Sequence, residues 1–200
     1  GYDPNHPTPL SVAVEENDAC SVAQILVEDH DQLYVLNEHK QSVLSRACFS
    51  GFYDVLDVLL TRVENDYILN YADKFRYSPA LYAISRRQTR IVERLVADKL
   101  INVDVETVKG NSALHVAILA DMNKALFDKL LATSVRSINT QNEDGHTPLM
   151  LAAIDGNVSL MRSLLDHGAD KTVRTPDNLV AFQLAANHQC AKLLVEWVVD

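Results

Sequence analysis

The chain has 200 residues, of which 48% are hydrophobic and 22% charged, and a formal net charge of -9, the make-up of an ordinary globular protein. It contains no run of 18 apolar residues and no charged-then-apolar leader at its start, which excludes a membrane-spanning helix and argues against membrane insertion. Three cysteines, Cys20, Cys48 and Cys190, form no Cys-x-x-Cys pair, so a reducing compartment, cytoplasm or nucleus, is expected.

One small residue recurs along the chain at Ala13, Ala47, Ala83, Ala117, Ala152 and Ala185, at separations of 34, 36, 34, 35 and 33. Such periods mark stacked supersecondary repeats and predict an α-solenoid whose business is binding. The first repeat opens with Thr8-Pro9-Leu10 and carries the apolar pair Ile25-Leu26 twelve residues after its alanine. The second has Ser42-Val43-Leu44 and Leu59-Leu60, the third Ser78-Pro79-Ala80 and Leu95-Val96. The fourth reads Gly110-Asn111-Ser112-Ala113-Leu114-His115-Val116-Ala117, with its pair one residue late at Leu130-Leu131. The fifth has Thr147-Pro148-Leu149 and Leu164-Leu165; the sixth has Val180-Ala181-Phe182 and ends with Trp197-Val198.

The fifth repeat shows why these residue types sit where they do. Thr147 caps a helix with its hydroxyl, and Pro148 at the first helical position gives up an amide hydrogen that has no partner there. Leu149, Ala152 and Ala153 then share one face, and Gly156 breaks the chain before a second helix. That helix carries Leu160, Met161, Leu164 and Leu165 as one apolar stripe, and Gly168 ends it in the left-handed region. Asn139 to His146, centred on Asp144-Gly145, suits a tight turn.

This pattern resembles the ankyrin repeat. The fifth repeat is closest to the family motif, while the second, third and sixth are degenerate. The resemblance covers about the whole chain and implies an all-α fold: one ankyrin repeat domain of stacked helix-turn-helix pairs with projecting fingers, in repeats of approximately 3–36, 37–72, 73–106, 107–141, 142–174 and 175–200. It also implies a module that binds a protein or peptide on its concave side, with no catalytic residues, metal or cofactor. An inhibitor of the NF-κB-binding type fits the repeat number, and a recruiting arm of an enzyme or channel is the other alternative.

Charge is unevenly spread. Residues 1 to 72 hold twelve acids against Lys40, Arg46 and Arg62, whereas the remainder balances. The third repeat is locally basic, with Lys74, Arg76, Arg86, Arg87, Arg90, Arg94 and Lys99 against Asp73, Glu93, Asp98 and Asp104. An acidic chain with one basic repeat repels a phosphate backbone on either side, so nucleic acid is not expected. Cys48 stands at the slot of Ala153 and reads as a small buried hydrophobe. His115 reads as a structural hydrogen-bonding group near a helix start. His39, His146 and His188 fall in fingers or turns and should be exposed, and no nucleophile-base pair is brought together.

Departures from the motif carry individuality. Arg76 replaces the turn glycine found at Gly110 and Gly145, which predicts a reshaped finger. Tyr67, Tyr71, Phe75, Tyr77 and Tyr82 crowd the same stretch, either as a small core or facing a partner. The partner-binding candidates are Lys74, Phe75, Tyr77 and Arg86, with Phe49, Val108, Lys109 and Asn111 beside them; aromatic plus arginine is the usual make-up of a hot spot. The chain starts almost at once inside a repeat, as a piece of a larger protein does. The last helix, Leu193 to Val199, lacks a polar outer face, which predicts further repeats or self-association there.

Overall fold

Several helices of this chain start at a side-chain cap. In the computed structural model, which describes residues 6–64, 66–98, 102, 105–133 and 137–197, every regular element of the described residues is helical. These residues divide into two compact halves, one running to Val105 and the other from Glu106.

The N-terminal half contains α1 (Pro9–Glu15), α2 (Ala19–Glu28), α3 (Val43–Ser50), α4 (Tyr53–Leu60), α5 (Asp66–Leu69), α6 (Pro79–Ser85) and α7 (Thr89–Ala97), with a 3-10 helix at His30–Tyr34. Thr8, Ser42 and Ser78 accept a hydrogen bond from the backbone N–H three residues on, and so start α1, α3 and α6. These first helices form one row, α1 on α3 on α6, and α2, α4 and α7 form a second. Leu10, Leu26, Leu44, Leu56, Leu59, Leu81, Ile84 and Ile91 fill the layer between them. Cys48 is fully buried there, which pushes its thiol pKa up.

The C-terminal half repeats the plan with α8 (Ala113–Leu119), α9 (Lys124–Thr133), α10 (Pro148–Ile154), α11 (Val158–Asp166), α12 (Ala181–Leu184) and α13 (His188–Glu196). First helices stack as α8, α10 and α12, second helices as α9, α11 and α13. Thr147 caps α10 by accepting from the Met150 N–H at 3.2 Å, and Pro148 is its first residue. Leu160, Met161, Leu164 and Leu165 are buried as the stripe requires, and Gly168 has φ 85°.

The alanine register holds in five repeats. The carbonyls of Ala13, Ala47, Ala83, Ala117 and Ala152 each accept from the N–H five residues later, closing the turn between the paired helices. The sixth repeat departs from it. Helix α12 has only four residues, and Ala185 has extended backbone outside it. Its second helix therefore starts early, at the Asn187 cap. Leu193 and Leu194 are the buried pair; Trp197 lies beyond the helix, and Val198 is outside the described residues. Lys171 Nζ donates to the carbonyls of Leu194 and Trp197 at 3.0 and 2.9 Å, closing the end of α13. Of the expected unprotected apolar face, Val195 is 66% exposed, while Val199 also lies outside the described residues.

Candidate functional site

Among the described residues, five fingers begin at Asn37, Asp73, Thr107, Asn142 and Thr175, where the second to sixth repeats are expected to open. In each, the N–H of the first residue donates to the carbonyl of the fifth, and the N–H of the fourth returns to the carbonyl of the first. The first residue's side-chain oxygen accepts from the fifth residue's N–H in every finger, and from the third residue's N–H in four of them. Asn, Asp and Thr are the residues that close such turns with their own side chains. The fourth residue has positive φ throughout: Lys40 61°, Arg76 60°, Gly110 68°, Gly145 76° and Asn178 65°.

This corrects the expectation that Arg76 reshapes its finger. Arg76 takes the left-handed conformation of Gly110 and Gly145 and keeps the same hydrogen bonds, because Asp73 and the neighbouring finger fix the turn from both sides. Lys74 N–H donates to the His39 carbonyl at 3.5 Å, and Lys74 Nζ donates to His39 Nδ1 at 2.8 Å.

Within the N-terminal half, the structure gathers Phe49, Tyr77 and Tyr82 into one aromatic stack. Phe49 meets Tyr82 edge-on at 5.6 Å between ring centres, and Tyr82 lies 5.0 Å from Tyr77. A buried polar network holds the stack from below. Asp73 accepts from the Tyr82 hydroxyl through Oδ2 and from the Phe75 and Tyr77 N–H groups through Oδ1, at 2.9 and 3.0 Å. Gln41 Nε2, from the adjacent finger, donates to Tyr82 Oη at 2.8 Å and to Asp73 Oδ2 at 3.3 Å. Burial, reinforced by the hydrogen bond to Asp73, pushes the Tyr82 pKa up to about 12, and burial also raises that of Tyr77.

The aromatics divide accordingly. Tyr77 is half-buried in the stack, Phe75 stays 49% exposed at the finger tip, and Tyr67 pairs with Tyr71 elsewhere at 5.5 Å. Arg86, the exposed residue that ends α6, lays its guanidinium 4.5 Å above the Phe49 ring; Lys74 Nζ sits 5.0 Å from the Phe75 ring. In the C-terminal half, Val108 (51% exposed) and Lys109 form a finger tip, and half-buried Asn111 accepts through Oδ1 from Asn142 Nδ2 at 2.9 Å. Of the basic residues in the third repeat, Arg94 is committed to Asp57 and Asp98 on the second-helix row, and Lys99 and Asp104 lie outside the described residues.

Sequence reasoning missed three contributors. Arg46 lies 6.0 Å from the Phe49 ring centre, and its position three residues ahead of Phe49 on a helix was the available signal. Gln41 and Asp73, which fix the stack, were signalled only by their places in neighbouring fingers. His115 is structural, as expected: buried Nδ1 accepts from the Ser112 N–H at 3.2 Å, and Nε2 donates to the His146 carbonyl at 2.8 Å. His146 is half-buried rather than exposed; His39 and His188 are exposed.

Residues 130–185 match the family described as ankyrin repeats (many copies). The ankyrin repeat domain of Bcl-3, a member of the IκB protein family, superposes with a TM-score of 0.76 at 18% identity, over 96% of this chain and 99% of that one. Residues 130–185 belong to the ankyrin repeat family, and the chain has the ankyrin repeat fold. Among ankyrin repeat relatives, it is 28% identical to the NF-κB p105 subunit of Gallus gallus over 83% of its length and 17% of that protein's. It is 26% identical to the NF-κB inhibitor cactus of Drosophila yakuba, over 73% of this chain and 36% of cactus. The chain thus spans from 17% to 36% of the first of the curated relatives it matches. The ankyrin repeat is a non-catalytic protein-interaction module, and no helix among the described residues is long and apolar enough to cross a membrane.

Proposed function

We propose that this chain is the interaction arm of a larger regulatory or scaffold protein and grips a partner protein or peptide through its finger tips and first-helix ends. In the N-terminal half the contacts are Lys74, Phe75, Tyr77 and Arg86, with Phe49 beside them; in the C-terminal half they are Val108, Lys109 and Asn111. One observation carries this reading: large apolar side chains, Phe75 and Val108, stand half in water on turns in which the N–H groups of the first, third, fourth and fifth residues are all hydrogen-bonded. Wet apolar area on a pre-ordered tip costs the free protein little to bind with. Buried free thiols, Cys48 and Cys190, support a reducing compartment.

The test is capture of partners by this chain from a cell extract, compared with Phe75→Ala and Val108→Ala. Loss of capture at unchanged melting temperature is the expected result, equivalent to roughly 2 kcal/mol or more of binding for a hot-spot residue. A melting temperature lowered with capture intact would assign Phe75 to packing instead. A second reading, inhibition of an NF-κB-type transcription factor, is supported by the likeness to cactus; direct titration with an NF-κB dimer decides it.

A further inference from the structure

The arrangement around Phe49 is more specific than a sticky surface. Two guanidiniums, from α3 and from the end of α6, converge on one phenyl ring, with Arg86 at 4.5 Å and Arg46 at 6.0 Å from its centre. Arg46 has only a loose, exposed contact of 3.7 Å with Glu15, worth little in water. Among the described residues Arg86 meets no carboxylate. An arginine held against an aromatic plate has lost part of its side-chain freedom while its donors still face solvent, so it is poised to take a planar anionic group. The plate itself cannot drift, since Phe49 leans on Tyr82 and Tyr82 is anchored to Asp73 and Gln41. Lys74, oriented by His39, adds a third cation at the neighbouring finger tip.

The geometry points to a recognition site for a short acidic segment of a partner protein, its carboxylates on Arg46 and Arg86 and an apolar residue against Phe75. The inference rests on the interaction reading above and names the partner's chemistry. Charge complementarity limits the segment's length. Glu15 and Glu16 end α1, which packs on α3, and Glu38 lies in the finger before Lys74. A peptide can place two or three acids on the arginines and change sign as it passes these carboxylates. A phosphate chain carries the same charge at every step and meets them with repulsion.

The experiment uses this chain with fluorescein-labelled peptides built on a Glu-Leu-Glu-Glu core or a Lys-Leu-Lys-Lys core, and a short oligothymidylate, measured by anisotropy at low and moderate salt. The Glu peptide should bind, weaken with salt, and lose about tenfold or more in affinity with Arg86→Glu and with Arg46→Glu. Both residues are exposed, so circular dichroism should report intact folds. Equal binding of the Lys peptide, or indifference to both substitutions, would overturn the proposal. So would oligothymidylate binding as tight as that of the Glu peptide, or sedimentation showing self-association that Arg86→Glu abolishes, which would assign the arginines to the acidic first repeats of a second copy. If partner capture depends on Phe75 but not on Arg46 or Arg86, the interaction reading stands and the acidic-segment inference falls.

Discussion

Among the described residues, six that are not glycine, Asn17, Lys40, Arg76, Arg87, Asp121 and Asn178, have positive φ, alongside five glycines. The left-handed region costs an ordinary L-residue on the order of 1–2 kcal/mol; Asn and Asp enter it more readily, whereas Lys40, Arg76 and Arg87 need surroundings that over-determine the turn. Arg76→Gly should therefore raise stability by about 1 kcal/mol in urea denaturation, without altering the finger. Gly145→Ala should lower it by more than that strain, because the added Cβ would also lie 2.2 Å from Pro176 Cδ. A second residue-scale effect concerns pH. Burial holds the His115 imidazole below its ordinary pKa of 6.5. The unfolded chain then takes up this proton first, so stability from the neutral ring is complete above pH 6.5 and is lost as pH falls below it. The carboxylates of Asp18 and Asp170, held low by hydrogen bonds from Ser21 and Thr172, are lost only in stronger acid. Melting temperature should fall as pH drops from about 7 to about 5.5, and His115→Gln should flatten that slope.

At the scale of the element, the third finger hangs on one side chain. Asp73→Ala removes the acceptor of the Phe75 and Tyr77 N–H groups and of the Tyr82 hydroxyl together. The expected cost is roughly 2 kcal/mol or more, read by thermal denaturation, with loss of the near-ultraviolet tyrosine signal as the stack loosens. This element also shows where sequence is an insufficient guide. Caps such as Thr147 and Ser78 and the buried alanine faces were legible, because local chemistry alone decides them. The conformation at Arg76 was not, since propensity favours another region and the hydrogen bonds that override it come from Asp73 and from His39, 37 positions before it in the chain. The division of the aromatics into stacked Tyr77 and exposed Phe75 was equally hidden. Neighbours in sequence point to opposite sides of a turn, and only the partner finger decides which is covered. The sixth repeat misled for a different reason: Ala185 matched the period while the first helix had lost three residues relative to α10.

Over the whole molecule, the net charge of -9 resides in the first two repeats, where twelve acids face three bases. Self-repulsion there opposes folding and is screened by salt. Raising sodium chloride from about 20 mM to about 500 mM should raise the melting temperature, and neutralising the α1 end with Glu15→Gln and Glu16→Gln should shrink that response. The period, the family and the helical class were legible at this scale because every repeat restates them. The binding face was legible only in part: composition located the basic third repeat, but not which of its cations were already committed, as Arg94 is.

The finger turns carry one more consequence. Each is closed by the side chain of its first residue and the backbone of its fourth and fifth, and main-chain bonds, Lys74 N–H to His39 and Glu143 N–H to Lys109, tie consecutive fingers whatever side chains the tips carry. The hydrogen bonds that close a turn use no side chain of the second and third positions, Lys74 and Phe75 or Val108 and Lys109. Shape and message are thereby written at separate positions, so selection can rewrite what a finger says without re-solving how it folds. A library randomised at those pairs alone should return folded members with new specificities.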